Sequence, residues 1–298
     1  MSEDLAGDFE TIARGTYLEG LAVDPARERV WYSDVIAGGV HGIGRDEVRW
    51  SLNAGRMWTG GIALNEDGAV LSTGAGGIMW NKPNTGESGW VLREIDAVPI
   101  NGIDELAADR EGGLYFGTVD IEHIAAGKTP RPAAIYHLTR NGEVTLLAEG
   151  LGSVNGMALR ADGSRLYYNE TFDRVYAFQV RSDEAPSDRA RLLGKEDCDG
   201  MALDADGTLW VSGFRSSSIT RLTVGGSQAE PFSTPAGAIT QLRFGGPDLR
   251  DLYLTTVPAD GGDSLKEGIA PAGAASILYR ARSPMTGLPI RPARFRLT

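Results

Sequence analysis

Six times along the chain a run of alternating apolar and polar positions breaks at a short turn and resumes as an apolar, often aromatic, run. Residues 199–213, DGMALDADGTLWVSG, show the pattern most completely: Asp199 opens it, Met201 and Leu203 alternate with smaller or polar residues, Asp206-Gly207 interrupts, and Leu209, Trp210 and Val211 close it. Asp-Gly readily supplies the positive φ of a tight hairpin turn. Branched and aromatic side chains on either side fit a pleated, buried surface. Each copy therefore predicts a β-hairpin with a marked first position.

Aligned on the turn, Gly60, Asp104, Asn155 and Asp199 each stand seven residues before the turn's first residue (Asp67, Glu111, Asp162 and Asp206). Glu19 opens a copy with a longer turn, and a looser sixth copy starts near Thr240. The openings at 19, 60, 104, 155, 199 and 240 lie 41, 44, 51, 44 and 41 residues apart. A period in the forties with several short strands per unit predicts an all-β, six-bladed propeller with four antiparallel strands per blade. One such sheet cannot cover its own faces, so the blades pack against one another around an axis, and residues 1–298 form one closed ring in a single domain. Third strands are expected at residues 39–43, 90–95, 134–138, 174–180 and 219–223, with outer strands after them, as at 144–148. Residues 1–8 are expected to fray. Residues 9–16 and 276–282 are expected to share a blade and close the ring, because an open ring would leave two bare strand edges. Two connections, 119–132 and 258–275, are longer and follow the second strand of their copy, where recognition tends to be placed.

Charge and composition narrow the functional classes. A formal net charge of -11 over 298 residues disfavours a nucleic-acid partner, and no apolar run approaches the roughly 20 residues of a membrane-spanning helix. The lone cysteine, Cys198, allows no intrachain disulfide, and the opening MSEDLAGDFE has no charged-then-apolar leader, so a reducing cytoplasm is expected. Cys198 has no partner base in the pattern and reads as packed and inert. The basic stretch with Arg280, Arg282, Arg291, Arg294 and Arg296 reads as a solvated strand edge and tail. Nothing in the sequence specifies an oligomer.

The opening positions carry the chemistry. The innermost strand of each blade lines the central axis, so its first residues form a ring at one mouth: Glu19, Gly60, Asp104, Asn155, Asp199 and Thr240. Three carboxylates and a carboxamide would repel one another unless a cation or proton intervenes, and an all-oxygen set suits a hard divalent ion such as calcium. Any one Asp or Asn before a strand can instead cap its own backbone in an Asx turn; four at one repeat phase favour convergence. The string Asp204-x-Asp206-Gly207 lacks the rest of a calcium loop and reads as a hairpin turn. There is no G-x-S-x-G, H-E-x-x-H or Walker A string. His41, His123 and His137 offer little for a histidine-based zinc site.

The strings LEGLAVDPARERVWYSDVIAGGVHGI, VNGMALRADGSRLYY, CDGMALDADGTLWVSGF and FGGPDLRDLYLTT resemble the SMP-30/gluconolactonase/LRE family over nearly the whole chain. That resemblance implies that Glu19, Asn155 and Asp199 stand at the family's metal-ligand positions. Asp104 stands at a fourth inward position, usually Asn, where it would tighten cation binding, become a direct ligand, or serve as a second base. The resemblance implies hydrolysis of a small-molecule lactone: one divalent cation, calcium by default with manganese, zinc, magnesium or ferrous iron as alternatives, would polarise the ring-ester carbonyl, and Asp199 or else Glu19 would take a proton from water. Sugar lactonases of the family often carry Arg two residues before the fourth position; here Asn101 and Gly102 precede Ile103, so that clamp is missing. Asn101 and Asp104 are expected to contact substrate; Met57, Trp58, Glu122 and His123 read equally as pocket walls or as packing, and as walls they would suit a substituted or aromatic lactone. The rival reading is a non-catalytic propeller used as a binding platform for a protein or small molecule. A strictosidine-synthase-like, ester-cleaving propeller is a further alternative that would not keep this ligand set.

Overall fold

Residues 6–181, 184–258, 265 and 276–298 are described by a computed structural model. Their hydrogen-bonded strands form six antiparallel four-stranded sheets. Blade 1 comprises Leu18–Asp24, Arg29–Asp34, Val40–Gly44 and Arg49–Leu52. Blade 2 comprises Ile62–Leu64, Val70–Ser72, Ile78–Asn81 and Ser88–Leu92. Blade 3 comprises Ile103–Ala108, Leu114–Thr118, Ala133–Leu138 and Val144–Leu151. Blade 4 comprises Ser153–Leu159, Arg165–Thr171, Arg174–Arg181 and Glu184–Leu193. Blade 5 comprises Cys198–Leu203, Leu209–Gly213, Ser218–Leu222 and Gln228–Ser233. Blade 6 comprises Ala238–Gly245, Asp251–Val257 and Ser276–Arg282, with Ala6–Gly15 as its outer strand. The first strand of each blade is innermost, and the six touch in cyclic order, the sixth against the first. This is the six-bladed propeller that the repeat predicts.

The hairpin turns form where the pattern places them: Gly68, Gly112, Gly163 and Gly207 have φ of 89°, 93°, 73° and 82°, the region that glycine enters without strain. Between blades the apolar faces interlock. Trp210, fully buried over Phe232 of its own blade, meets Phe244 of blade 6 edge-on, and Trp31, beside Trp50 of its own blade, clusters with Ile62 and Val70 of blade 2. Fully buried leucines such as Leu242 and Leu252 each contribute about 1.5–3 kcal/mol relative to exposure.

Closure uses both ends of the chain as expected. Glu10 lies opposite Arg280 and Thr11 opposite Tyr279, and the ring of Phe9 meets Tyr279 edge-on with centroids 6.0 Å apart. The strand starts at Ala6, so residues 6–8, expected to fray, are ladder residues, while residues 1–5 lie outside the described residues. In blade 2 the third strand is Ile78–Asn81, and residues 90–95, expected there, instead fall in the outer strand Ser88–Leu92 and a small ribbon of Glu94–Ile95 with Val98–Pro99. The expected connection 119–132 carries a five-residue helix, Ile121–Ala125, capped by Asp120. Most of the other, 258–275, lies outside the described residues.

Most side chains of the Arg-rich end, Arg282, Arg291, Arg294 and Arg296, are solvent-exposed as expected, but its backbone is docked rather than a free tail. It crosses the face opposite the ring of openings as a strap: Leu288 N–H donates to Leu203 O, Ala293 N–H to Leu64 O and Arg294 N–H to Gly112 O, at 2.9, 2.8 and 2.8 Å. Ala293 is fully buried. Beneath the strap lies a cavity of about 310 Å³ lined by the far halves of the inner strands, including Ala22, Ile62, Leu106, Met157 and Ala202. Arg280 and Arg282 pair with Glu10, Asp248 and Asp251.

Candidate functional site

Inner strands converge on the axis so tightly that in four blades the residue after the opening is a glycine with little room, Gly20, Gly61, Gly156 or Gly200, while blades 3 and 6 place Glu105 and Gln241 there. A Cβ on Gly20 would lie 2.0 Å from Gly60 O, and one on Gly156 would lie 2.0 Å from Asp199 O. In five blades the ladder register slips at the opening residue, at Leu18/Leu21, Ile103/Leu106, Asn155/Met157, Cys198/Met201 and Ile239/Gln241. Such bulges re-aim a side chain out of the regular alternation, and the same device recurs around the mouth.

Glu19, Asp104 and Asp199 are brought together. Burial raises the pKa of each carboxyl group above its ordinary range, and the charged groups that act on them most strongly are other carboxylates: Asp104 and Glu105 on Glu19, Glu105 on Asp104, and Glu19 and Asp104 on Asp199. Asp104 is pushed up to about 7. Asp199 is 3% exposed and its Oδ1 has no hydrogen-bond partner, whereas Glu19, Asp104 and Asn155 keep partial access to the mouth. The Tyr17 phenol, buried beside them, is raised by burial and then by the charges of Glu19, Asp199 and Asp104. Asn155 partly follows the bland reading: its Oδ1 accepts from the adjacent Gly156 N–H at 2.9 Å. Among the described residues no three His, Cys, Asp or Glu side chains gather closely enough to hold a metal ion; a three-oxygen set around Glu19 and Asp199 needs the Asn155 carboxamide.

One residue deeper, Glu105 is also buried but fully engaged. Its Oε1 accepts from Leu106 N–H at 2.9 Å, its Oε2 accepts from the Gln241 amide, and Arg243 Nη2 lies 3.6 Å away. Arg243 also donates to Met201 O at 2.7 Å and Gln241 Oε1 at 2.5 Å, and it lines the cavity under the strap. This network stands between the mouth and the cavity. Sequence reading missed it because its members lie in blades 3 and 6, 138 positions apart, with no local signal.

The expected walls divide. Trp58 packs with Tyr17, Val35, Phe214 and Val257 on one side of the mouth; its backbone, at φ 59°, holds the left-handed conformation that costs a bulky residue about 1–3 kcal/mol. Met57 is exposed on the rim. Asn101, Glu122 and His123 cluster over blade 3: Asn101 Oδ1 accepts from Glu122 N–H at 3.3 Å, and His123 Nδ1 lies 2.8 Å from Asp120. Asp120 is held well below the carboxylate range, first by its hydrogen bonds from Arg131. Ile121 and Val119 fill the place beside Gly102, where a Cβ would lie 2.4 Å from Ile121 Cδ1. Cys198 is fully buried, its thiol pushed up to about 12 by burial and then by Asp199, an inert packed thiol as expected.

A profile of the SMP-30/gluconolactonase/LRE-like region matches residues 18–258. The pentonolactonase XacC of Haloferax volcanii is 28% identical over 279 residues, covering 91% of this chain and 92% of its own. Among solved structures, the gluconolactonase XC5397 of Xanthomonas campestris superposes with a TM-score of 0.78 at 21% identity over 95% of this chain and 92% of its own. The calcium-binding protein regucalcin of Agrobacterium tumefaciens superposes with a TM-score of 0.77 at 19% identity, over 96% and 95%. With the repeat, the closed ring and the openings in register, these matches show that the chain belongs to the SMP-30/gluconolactonase/LRE-like family.

Proposed function

We propose that the protein is a metal-dependent lactonase whose cation is held at the mouth by Glu19, Asn155 and Asp199, with Asp104 alongside. The observation that carries this reading is electrostatic: Asp199 Oδ1 is buried without a partner, and the groups crowding Asp199 are themselves carboxylates. Buried charge without a counter-charge is costly, and an all-oxygen set fits a hard divalent cation, calcium first and manganese, zinc, magnesium or ferrous iron as alternatives. The pentonolactonase relative supports the reaction class. A bound cation supplies Lewis-acid polarisation of the ester carbonyl and a more acidic water.

The chain's own residues do the remaining work. Asp199, or Glu19 in its place, accepts the proton of the attacking water as the new C–O bond forms. The ring C–O bond breaks, and that proton passes to the departing alkoxide, leaving a hydroxy acid. The new carboxylic acid ionises, releasing one proton to solvent, and its carboxylate meets an acidic mouth and is repelled outward. The space beside Gly102 is occupied by Ile121, so no long basic side chain reaches substrate hydroxyls from there, and the wall of Trp58, Tyr17 and Phe214 favours lactones with an apolar or aromatic substituent over bare sugar lactones. The single buried thiol accords with a reducing, cytoplasmic setting.

The test is acid release by chelator-stripped protein from pentonolactones, gluconolactone, alkyl-substituted δ-lactones and dihydrocoumarin, with each of the five ions. Turnover of at least one lactone that is abolished by chelator and restored by one ion is expected. No turnover on any lactone with any ion would leave the binding-platform reading in its place.

A further inference from the structure

A second ring lies just outside the ring of openings. At the level of each opening the second strand carries one residue, Ser33, Thr73, Gly117, Asn169, Ser212 or Thr255 in blades 1 to 6, which in five blades lies at the register slip. In three blades a hydroxyl at this place latches the next blade: Ser33 Oγ donates to Gly60 O at 2.8 Å, Thr73 Oγ1 to Asp104 O at 2.7 Å and Thr255 Oγ1 to Glu19 O at 2.6 Å. Asn169 makes the same latch with its amide, Nδ2 donating to Asp199 O. A hydroxyl suffices for the latch, so the amide brings one atom more than the latch uses. That atom, Asn169 Oδ1, is buried and has no hydrogen-bond partner, and the residue is fully buried.

The amide's orientation is fixed. Turning it over would set Oδ1 against the Asp199 carbonyl oxygen, so Oδ1 must point away from the latch. Its strand partner is Asn155, and its latch partner is Asp199, whose own Oδ1 is equally unpaired. An unsatisfied buried polar atom is costly, and here two occur on hydrogen-bonded neighbours beside the candidate cation site.

We propose that Asn169 Oδ1 is a further oxygen ligand of the mouth cation, giving a set of two carboxylates and two carboxamides: Glu19, Asp199, Asn155 and Asn169. This rests on the cation reading above. A neutral carbonyl oxygen adds coordination without adding to the negative charge already crowded there.

The decisive variant is Asn169→Ser, which keeps a latch hydroxyl of the kind used in blade 1 and deletes Oδ1; Asn169→Thr, the kind used in blades 2 and 6, serves if the serine variant folds poorly. Ser212→Ala, at the same phase in blade 5, is the control. Chelator-stripped proteins are titrated calorimetrically with calcium chloride and manganese chloride, and their melting midpoints are recorded without metal. The expected result is a metal-free midpoint for Asn169→Ser at or above wild type, with ion affinity lowered roughly 10–100-fold, and wild-type affinity for Ser212→Ala. Unchanged affinity in both Asn169 variants, or a loss matched by a fall in the metal-free midpoint or by Ser212→Ala, would overturn the assignment. Wild type that binds neither of these ions, nor zinc, magnesium or ferrous iron in the same titration, would instead overturn the cation reading on which it rests.

Discussion

Asp104 and Glu105 are neighbours in sequence with opposite fates. Glu105 turns toward blade 6, where Arg243, Gln241 and the Leu106 N–H satisfy it. Asp104 turns to the mouth, where its charged company is Glu105, Glu19 and Asp199, and its carboxyl is pushed up to about 7. The bulge between Ile103 and Leu106 lets consecutive residues serve both environments. A buried carboxylate with its partners built in belongs to the fold; on the reading proposed above, a cluster without them is completed by a cation.

The contrast breaks most visibly at Asp199. Asp199→Ala is expected to lower kcat/KM for the best lactone by on the order of 10²–10⁴-fold and to abolish stabilisation by divalent ions, while the metal-free melting midpoint stays level or rises because a crowded carboxylate is gone. A large fall in the metal-free midpoint would make Asp199 structural, like Glu105. The converse holds for Arg243→Ala: the stranded Glu105 should cost about 3–5 kcal/mol in urea unfolding with chelator present, and replacing both partners by Leu and Met should recover much of it. Equal stability of Arg243→Ala and wild type would erase the distinction.

The pH dependence of the metal-free protein sharpens the comparison. Carboxyls whose pKa is raised on folding hold their protons more tightly than the unfolded chain does. Their contribution is therefore fully present below about pH 4 and is lost as pH rises through about 7 for Asp104. Carboxylates lowered on folding, such as Asp109 and Asp197, act oppositely and set the acid limit. Between pH 5 and 8 the metal-free midpoint should fall, and saturating calcium or manganese should flatten the slope; a midpoint that rises over this range without metal would contradict the crowding. The smallest effects are those of the latches. Thr255→Val and Ser33→Ala should each cost about 1 kcal/mol, but only Thr255→Val, whose partner is the Glu19 carbonyl, should also weaken ion binding; equal ion affinity in the two would show that the latches position nothing.

Much of this was legible because it repeats. The turn glycines, the openings at Glu19, Asp104, Asn155 and Asp199, and closure by residues 276–282 are written in local pattern at a fixed phase. Asn169 was not legible, although it repeats at one phase of the second strands, because hydroxyl and amide side chains in a strand give no signal until their acceptors are known. Residues that depend on distant partners were not legible. Arg243 looks like a strand residue until Glu105 is found beside it, and the Arg-rich end looks like a free tail until Ala293 is seen bonded to Leu64 and Glu66. In blade 2 the glycines of residues 74–77 obscured the short third strand Ile78–Asn81 and moved the expected strand one position outward. The helix Ile121–Ala125 was hidden by its length, since one turn capped by Asp120 has too few residues for a period.

The most direct test of the central claim is anomalous diffraction from crystals of chelator-stripped protein soaked in manganese chloride. A single strong peak within ligand distance of Glu19, Asn155 and Asp199, with none beside Glu105, is the predicted result. An empty mouth at saturating manganese, with the carboxylates paired to one another through protons, would contradict it.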